Sequence, residues 1–227
     1  MGFMVEQRES DSPLVDSVMS GYTVGSGSMI RPAETHWHMV FVRTNGKTHS
    51  IITGPLKTSG VVQFSEGAEI LWIKFKLGTC FSHLPMHGFV DVETALPDAA
   101  THSFWLKGSA WHHPDFENSD TFVERLMHQD ILVHDPVVEA ALQGHCLDLS
   151  ARTVRHRFAQ ATGLTQAHVE QFQRAQQAAE LLRQGTSILD TVYELGYFDQ
   201  PHLTRSLKQF VGYTPAQLIK QMVVQNP

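Results

Sequence analysis

The spacing of apolar residues changes along the chain, from a period of two in the front half to a period near 3.6 in the back half. Leu71, Ile73 and Phe75 alternate with a tryptophan and two lysines, which is typical of a half-buried strand. The segment 39–53 has apolar runs on either side of an Asn-Gly dipeptide, which accepts the positive φ angles of a tight hairpin turn. These patterns predict an antiparallel β-roll or small barrel in the front half.

A helical spacing begins near Ser119. Phe122 and Leu126 lie four residues apart, and Ile131 extends the same apolar stripe. Core packing, a link between the two halves and pairing of two subunits each explain such a stripe, and core packing is the expectation. We therefore predict a helical linker over residues 117–134.

From Asp135 the chain is predicted to be helical to its end. An Asp-Pro pair at its start supplies an N-cap followed by proline at the first helical position. Ser150 caps a helix that ends before Gly163, a residue suited to a helix C-terminus. A long helix then runs from Thr165 roughly to Gln184, with its apolar residues at helical spacing.

The segment that follows predicts a pair of short helices. A helix that begins after Ser187 ends at Gly196, and Asp199 is a good N-cap for the next, so Pro201 falls in a first turn that does not need its N–H. The apolar residues of this last helix face inward: Leu203, Leu207 and Phe210. Its opposite face is polar and basic: Thr204, Arg205 and Lys208, with His202 and Gln209 on the flank. This arrangement is a helix-turn-helix, whose second helix lies in the DNA major groove.

The outward residues have the chemistry that base reading requires. Arg205 can offer a bidentate fork to guanine, and Gln200 can pair with adenine in the same manner. Lys208 and Thr204 suit phosphate oxygens. Because a fold alone does not give a function, an ordinary surface helix pair is the alternative at this point.

The charge of the chain is unevenly distributed. The net charge is −6. From Ser150 onward there are eight Lys/Arg and five Asp/Glu, and the residues before Ser150 contain nine Lys/Arg and eighteen Asp/Glu. An acidic front and a basic back are expected if only the back half meets a polyanion.

The composition predicts a globular cytoplasmic protein with no membrane partner. The chain is 42% hydrophobic and 18% charged, and no apolar run approaches the ~18–20 residues of a membrane span. Cys80 and Cys146 lie far apart in the sequence, which favours free thiols in a reducing compartment over a disulfide framework.

The segment Gly196–Pro215, GYFDQPHLTRSLKQFVGYTP, resembles the signature of the AraC/XylS family of bacterial transcription regulators. That signature is a Gly-aromatic pair, then Asp/Ser-Gln, then His/Tyr-Leu/Phe-x-Arg, then Gly-x-Thr/Ser-Pro about seven residues later. Each part has a counterpart here, in the order Gly196-Tyr197, Asp199-Gln200, His202-Leu203-Thr204-Arg205 and Gly212-Tyr213-Thr214-Pro215. The resemblance implies a sequence-specific DNA-binding regulator.

The family's DNA-binding module has two helix-turn-helices joined by a long helix, and the resemblance covers all three parts. QAHVEQFQRAQQAAELLRQG matches the long helix, and SARTVRHRFAQATGLT matches the first recognition helix. The residues that the resemblance places against bases and phosphates are Arg152, Arg155 and His156 in the first motif and Gln200, His202 and Arg205 in the second. Two such helices about 34 Å apart enter successive major grooves on one face of DNA.

Two features depart from the family pattern. Fourteen residues lie between Asp135 and Ser150, where the family normally has two helices and this chain has room for about one. The first helix-turn-helix is therefore expected to be abbreviated. In addition, Val192 stands where the family usually has a small alanine, which is expected to alter the helix packing before the turn.

The resemblance also implies a division of labour along the chain. It predicts a β-rich, cupin-like sensor over residues 1–116, the linker at 117–134, and the DNA-binding domain at 135–221. WIKFKLGTCFSHLP resembles a strand-plus-glycine segment of some sensor domains in the family. The implied partners are double-stranded DNA, with a small-molecule effector and RNA polymerase as further candidates. A homodimer and a monomer both remain open, and no catalytic residue or cofactor is expected.

Two other functions are consistent with parts of the sequence. His36 and His38 alternate on one predicted strand face and could present two imidazoles to a metal, as in a metal-dependent cupin-type enzyme. The segment after His38 has no glutamate at the expected offset, so hydrogen-bonded or solvated histidines are preferred and no metal site is predicted. The abbreviated first motif suggests, as a third function, a protein-interaction module with degenerate DNA binding.

Overall fold

A computed structural model describes residues 3–225 and confirms the predicted α+β layout, with mostly antiparallel strands in the N-terminal region and helices in the C-terminal region. The strands are β1 Phe3–Glu9, β2 Val15–Thr23, β3 Gly27–Arg31, β4 His38–Thr44, β5 Lys47–Thr53, β6 Gly60–Phe64, β7 Glu69–Phe75, β8 Thr79–Phe81, β9 Glu93–Ala95, β10 Asp98–Ala100, β11 Ser103–Leu106, β12 Ser109–His112 and β13 Leu132–His134. The helices are α1 Ser119–His128, α2 Pro136–Leu142, α3 Ala151–Thr162, α4 Gln166–Arg183, α5 Ile188–Glu194, α6 Gln200–Phe210 and α7 Pro215–Gln225, and a short 3₁₀ helix spans Met86–Phe89.

Contacts divide the chain into two compact units that are not continuous in sequence. The first contains the chain up to Ser28 together with His36–Pro55 and Gln63–Gln166. The second contains Met29–Thr35, Leu56–Val62 and the chain from Ala167 onward. These units cut across the predicted boundary at Asp135, so the division into domains at 116 and 135 stays a prediction.

The main element of the first unit is a six-stranded antiparallel sheet in the order β1-β2-β7-β4-β5-β9. Strands β4 and β5 form the predicted hairpin, because Asn45 and Gly46 take φ angles of 52° and 76° in its two-residue turn. The alternation predicted for β7 is also confirmed: Leu71, Ile73 and Phe75 are buried, since one face of the sheet covers the core.

Aromatic side chains fill the core beneath this sheet. The rings of Trp37 and Phe75 stack with their centroids 4.0 Å apart, and the indole N–H of Trp37 donates to the Thr79 carbonyl at 2.7 Å. Phe41, from β4, packs against Phe104. The predicted antiparallel β architecture is therefore present, whereas the cupin-like assignment of the front half stays a prediction.

The predicted helical linker is a helix followed by a strand. Phe122 and Leu126 are buried on α1, as the spacing predicts, and Ile131 is buried beyond the end of that helix. Strand β13 then pairs with β8 through the partners Val133 and Cys80. The apolar stripe thus packs in the core of the first unit. The helical periodicity predicted the helix but not the strand that follows it.

A half-buried ion pair fastens α1 to the sheet. The Arg8 guanidinium, on β1, donates to Asp120 Oδ2 and to Ser119 Oγ, both at 2.7 Å, and to the Phe116 carbonyl at 2.8 Å. Charge-assisted hydrogen bonds with several acceptors fix a guanidinium in one orientation. The first unit therefore joins its first strand to its first helix by polar contacts as well as by apolar burial.

The second unit is built on α4, α5, α6 and α7. Its buried core residues are Ala33, Ala175, Ala178, Ala179, Leu182, Val192, Tyr197, Leu203, Leu207, Phe210, Val211 and Leu218. The alanines of α4 permit close helix approach, and the larger residues of α5 and α6 fill the remaining space. Val192, the departure noted in the sequence, is 7% exposed and is part of this core. Among the described residues, no helix is long and apolar enough to cross a lipid bilayer.

Candidate nucleic-acid interface

Helix α6 begins as its sequence predicts. Asp199 is the N-cap, and its Oδ1 accepts a hydrogen bond from the His202 N–H at 2.7 Å. Pro201 lies in the first turn, where a helix has N–H groups without intrahelical partners and tolerates proline. Leu203 and Leu207 are completely buried on the inner side, so the opposite side of α6 is left toward solvent.

The predicted contact residues of α6 differ in exposure. Gln200, Arg205 and Lys208 are exposed, and Thr204 is half-buried. At about 100° per residue, Arg205 lies opposite the buried leucines, and Lys208, Thr204 and Gln200 follow in that order around the helix. The structure therefore brings amide, hydroxyl, guanidinium and ammonium groups together on one side of α6.

His202 has a more structural environment than the sequence suggested. Its ring is half-buried, and the ring edge lies against Tyr197 with the centroids 5.2 Å apart. Its Nδ1 accepts a long hydrogen bond from the Phe198 N–H at 3.4 Å. These contacts hold the turn before α6 against its first helical turn, and a DNA contact by His202 stays a prediction.

Tyr197 anchors the turn between α5 and α6. It is 5% exposed, its hydroxyl lies 3.2 Å from Ser206 Oγ, and the Arg174 guanidinium lies over its ring at 4.7 Å from the centroid. A cation over an aromatic face is attracted to the ring's negative quadrupole. The aromatic residue of the Gly-aromatic pair is thus a packing residue that links α4 to α6.

Two segments from the front half cap the other end of α6. We call these the capping segments, Met29–Thr35 and Leu56–Val62. The Ala33 N–H donates to the Phe210 carbonyl at 2.8 Å, and the Ser59 N–H donates to the Gln209 carbonyl at 2.6 Å. Ser59 Oγ also donates to the Lys208 carbonyl at 2.8 Å. The last carbonyls of a helix have no intrahelical partner, so the capping segments satisfy groups that α6 cannot satisfy itself.

The first predicted recognition helix, α3, has the caps that the sequence predicts. Ser150 Oγ accepts a hydrogen bond from the Thr153 N–H at 3.1 Å, and Gly163 ends the helix with a φ of 75°. Phe158 is 1% exposed on the inner side. The three residues predicted to contact DNA are all exposed: Arg152, Arg155 and His156.

Asp135 connects α3 to α2. Its Oδ1 accepts from the Val137 N–H at 3.0 Å as the N-cap of α2. The Arg157 guanidinium donates to both carboxylate oxygens of Asp135, at 2.9 and 2.7 Å. Arg157 is therefore engaged in holding the motif together, and it differs in role from Arg152 and Arg155.

The first motif is abbreviated, as the spacing predicts. Only α2 lies between Asp135 and Ser150 in the structure, and residues 143–150 after it are not helical. The turn after α2 includes Gly144 with a φ of 67°. A single helix thus precedes α3, where the family pattern has two.

Sequence reasoning missed two exposed aromatic residues of the second motif. Tyr193 on α5 is 83% exposed and Phe198 in the turn is 90% exposed. The sequence analysis assigned neither residue a role. The signal that was available is position: Phe198 directly precedes the N-cap of α6.

The two histidines considered for a metal do not share a strand. His38 is the first residue of β4, and His36 precedes the strand. Between them Trp37 is buried in the core. Among residues 3–225, no group of three or more His, Cys, Asp or Glu residues is arranged to hold a metal ion.

Comparison with known proteins identifies the back of the chain. Residues 145–221 match a family model described as a helix-turn-helix domain. A search of the curated proteins and a search of the solved structures each found no match to the chain. The C-terminal region is therefore a helix-turn-helix domain, a class of DNA-binding module.

Proposed function

We propose that the protein is a sequence-specific DNA-binding transcriptional regulator of the AraC/XylS type. The match of residues 145–221 to a helix-turn-helix domain supports this function. The observation that carries it is the surface of α6, where Gln200, Arg205 and Lys208 are exposed while the inner leucines of the helix are completely buried. An enzyme is not favoured, since the matched domain is a binding module.

In the proposed complex α6 lies in the major groove, which is wide enough to admit a helix. Arg205 pairs with the O6 and N7 acceptors of a guanine, and Gln200 pairs with an adenine. Lys208 and Thr204 contact phosphate oxygens and fix the register of the helix on the duplex. His202 keeps its position against Tyr197 and reaches the DNA from the flank of the helix.

The first motif supplies a second, more strongly basic helix. Arg152, Arg155 and His156 are exposed on α3, and Arg157 keeps the helix attached to α2 through Asp135. The first turn of α3 contains no acidic residue, which suits electrostatic binding of its arginines to phosphates. We propose that α3 contributes affinity and that α6 contributes most of the sequence discrimination.

The capping segments support the proposed modulation through the front half. Ala33 and Ser59 donate hydrogen bonds to the last carbonyls of α6. Along the chain, both capping segments continue directly into residues of the first unit, at Ser28 and His36 and at Pro55 and Gln63. A change in the front half that moves either segment would therefore change the end of the recognition helix.

The remaining parts of the proposal rest on the resemblance. A small-molecule effector acting on the front half, contact with RNA polymerase, and a homodimer or a monomer as the active form are each part of the AraC/XylS pattern. A cytoplasmic location agrees with two cysteines that form no disulfide in the described structure.

A selection experiment tests the function. Purified full-length protein is incubated with random-sequence DNA, and bound fragments are sequenced over several rounds at one fixed salt concentration. We expect one enriched motif for the wild-type protein and loss of its most constrained positions for a Gln200→Ala/Arg205→Ala double variant. Lys47→Ala, which removes an exposed cation from the first unit, is the control and should keep the motif.

The salt dependence of binding supplies a second readout. Because phosphate contacts release counterions, log K should fall linearly with log salt, with a slope near −0.9 for each phosphate neutralised. Recovery of no motif by the wild-type protein, or of the same motif by the double variant, would contradict the proposed function.

A further inference from the structure

Phe198 is the most exposed of the large apolar residues in the described structure, at 90%. It directly precedes Asp199, the N-cap of α6, so it occupies the position called N′. In a DNA-binding helix-turn-helix, the residues near the start of the second helix are those that contact base edges. Phe198 therefore lies at the end of α6 where base contacts are made.

The ordinary structural role for an apolar N′ residue is a hydrophobic staple, in which it packs on the fourth residue of the helix. That fourth residue is Leu203, which is completely buried. Because Phe198 keeps nine-tenths of its surface exposed, it does not form the staple. Its side chain is left available to a ligand. Its exposure to water is unfavourable, and packing in the core would have avoided that cost.

The backbone of Phe198 is nevertheless held in place. The preceding residue, Tyr197, is buried and is covered by Arg174. The Phe198 N–H donates to His202 Nδ1 at 3.4 Å, and the following Asp199 caps the helix. The exposed ring is thus presented from a fixed turn rather than from a long loop.

We propose that Phe198 contacts the C5-methyl group of a thymine in the major groove and is a specificity-determining residue beside Gln200 and Arg205. This inference rests on the proposed function. The thymine methyl is the apolar group that the major-groove edges of the bases present, and phenylalanine is among the side chains that contact it. A hydrogen-bonding row that recognises guanine and adenine is extended by an apolar residue that recognises thymine.

Replacement of thymine by deoxyuridine, which removes only the C5-methyl group, tests the contact directly. Each thymine of the selected site is replaced in turn, and binding of full-length wild-type protein, Phe198→Ala and Leu189→Ala is measured at one salt concentration. We expect one thymine position at which deoxyuridine weakens wild-type binding about fourfold, the effect of burying one methyl-sized group. Phe198→Ala should bind the two DNAs equally.

Leu189→Ala is the matched control, since it shortens another exposed apolar residue of the second motif, 61% exposed on α5. It should keep the fourfold difference. Circular dichroism checks that Phe198→Ala folds, which is expected because the side chain is exposed.

Three outcomes would overturn the inference while leaving the proposed function intact. They are a wild-type motif with no methyl-sensitive thymine, a Phe198→Ala variant that keeps the methyl sensitivity, and a control that loses it. Failure of the wild-type protein to select any motif would remove both proposals together, so the two failures are distinguishable.

Discussion

The two predicted recognition helices end in similar ways and are held by different parts of the chain. Helix α3 is followed by Gly163, which lies against Met86 and Val90, and α6 is followed by Gly212, which lies against Ile30 and Ser59. In both cases a glycine with positive φ meets residues from the front half. Front-half residues are thus structural components of both motifs.

The difference lies in what each helix presents and in how it is attached. The exposed face of α3 carries Arg152, Arg155 and His156, and a carboxylate–guanidinium pair attaches the helix to α2. The exposed face of α6 carries amide, hydroxyl and cationic groups, and backbone hydrogen bonds cap its end. Exposed arginines favour affinity, whereas mixed donors and acceptors favour discrimination.

The largest expected effect is the loss of stability when a glycine that ends α3 or α6 is replaced by alanine. Gly163→Ala should lower the free energy of unfolding by about 2–5 kcal/mol, because the positive φ strains alanine and its Cβ would lie 2.8 Å from the Met86 carbonyl oxygen. Gly212→Ala should cost about 2–4 kcal/mol, since its closest neighbour is an Ile30 side-chain atom, which can shift more easily than backbone. Urea unfolding measures both.

Gly185→Ala is the matched control for this pair. Gly185 has a φ of 94°, and a Cβ there would meet nothing within 4 Å. It should cost only about 1–2 kcal/mol, the backbone term alone. Equal losses at all three glycines would show that the front-half contacts do not hold the helix ends.

The next prediction compares one arginine from each predicted recognition helix. Arg205→Ala should weaken binding to the selected site by about 1–3 kcal/mol and relax specificity at one base position. Arg155→Ala should weaken binding to all sequences similarly and reduce the salt slope by about one phosphate. Competition assays with site variants measure both.

The outcome for Arg205 is informative in either direction. A uniform loss across sequences would identify it as a phosphate contact and would move base reading elsewhere on α6. Specificity lost at one position in Arg155→Ala would instead show that the abbreviated first motif reads bases.

A smaller effect concerns the attachment of α3. Asp135→Asn should lower the free energy of unfolding by about 1–2 kcal/mol, because asparagine keeps the cap of α2 but loses the charge-assisted bonds to Arg157. A double-mutant cycle with Arg157→Gln isolates the pair, with a coupling of about 1 kcal/mol. Additive losses would mean that the two residues act separately.

The last effect is on a reaction rate, that of a thiol in the first unit. Burial, with a further contribution from the charge of Asp135, raises the pKa of the Cys80 thiol to about 11. Since the thiolate is the reactive form, Cys80 in a Cys146→Ser background should react with a disulfide reagent at pH 8 about a hundredfold more slowly than an ordinary thiol.

Asp135→Asn should raise that rate, because removal of a nearby negative charge lowers the pKa of the thiol. An unchanged rate would show that burial alone protects Cys80. A fast reaction in the Cys146→Ser protein would contradict the burial of the thiol near α2 and α3.

Features with a local signal in the sequence were predicted well. The caps at Asp135, Ser150 and Asp199 form as expected, because each depends on residues two or three positions away. The hairpin at Asn45 and the buried row of β7 follow from turn chemistry and from the period of two. The polar face of α6 follows from helical spacing in the same way.

Features that depend on distant residues were not predicted. The Asp135–Arg157 pair joins residues 22 apart in sequence, and the bond from Ser59 to Lys208 spans 149 positions. No periodicity connects residues so far apart, so no sequence pattern predicts these contacts. The exposure of Phe198 is of the same kind, since it depends on Tyr197 and Leu203 taking the buried places beside it.

The capping segments have a consequence for how the two halves of the chain evolve. A gene fragment that encodes residues 145–221 and recombines with another front domain would carry the proposed base-reading surface of α6 but neither Ala33 nor Ser59. In the hybrid, the backbone carbonyls of Gln209 and Phe210 at the end of α6 would lack these hydrogen-bond donors. Substitutions in the capping segments should therefore accompany substitutions near Phe210 and Gly212 as related sequences diverge. Recombination that preserves the end of α6 should transfer both regions together.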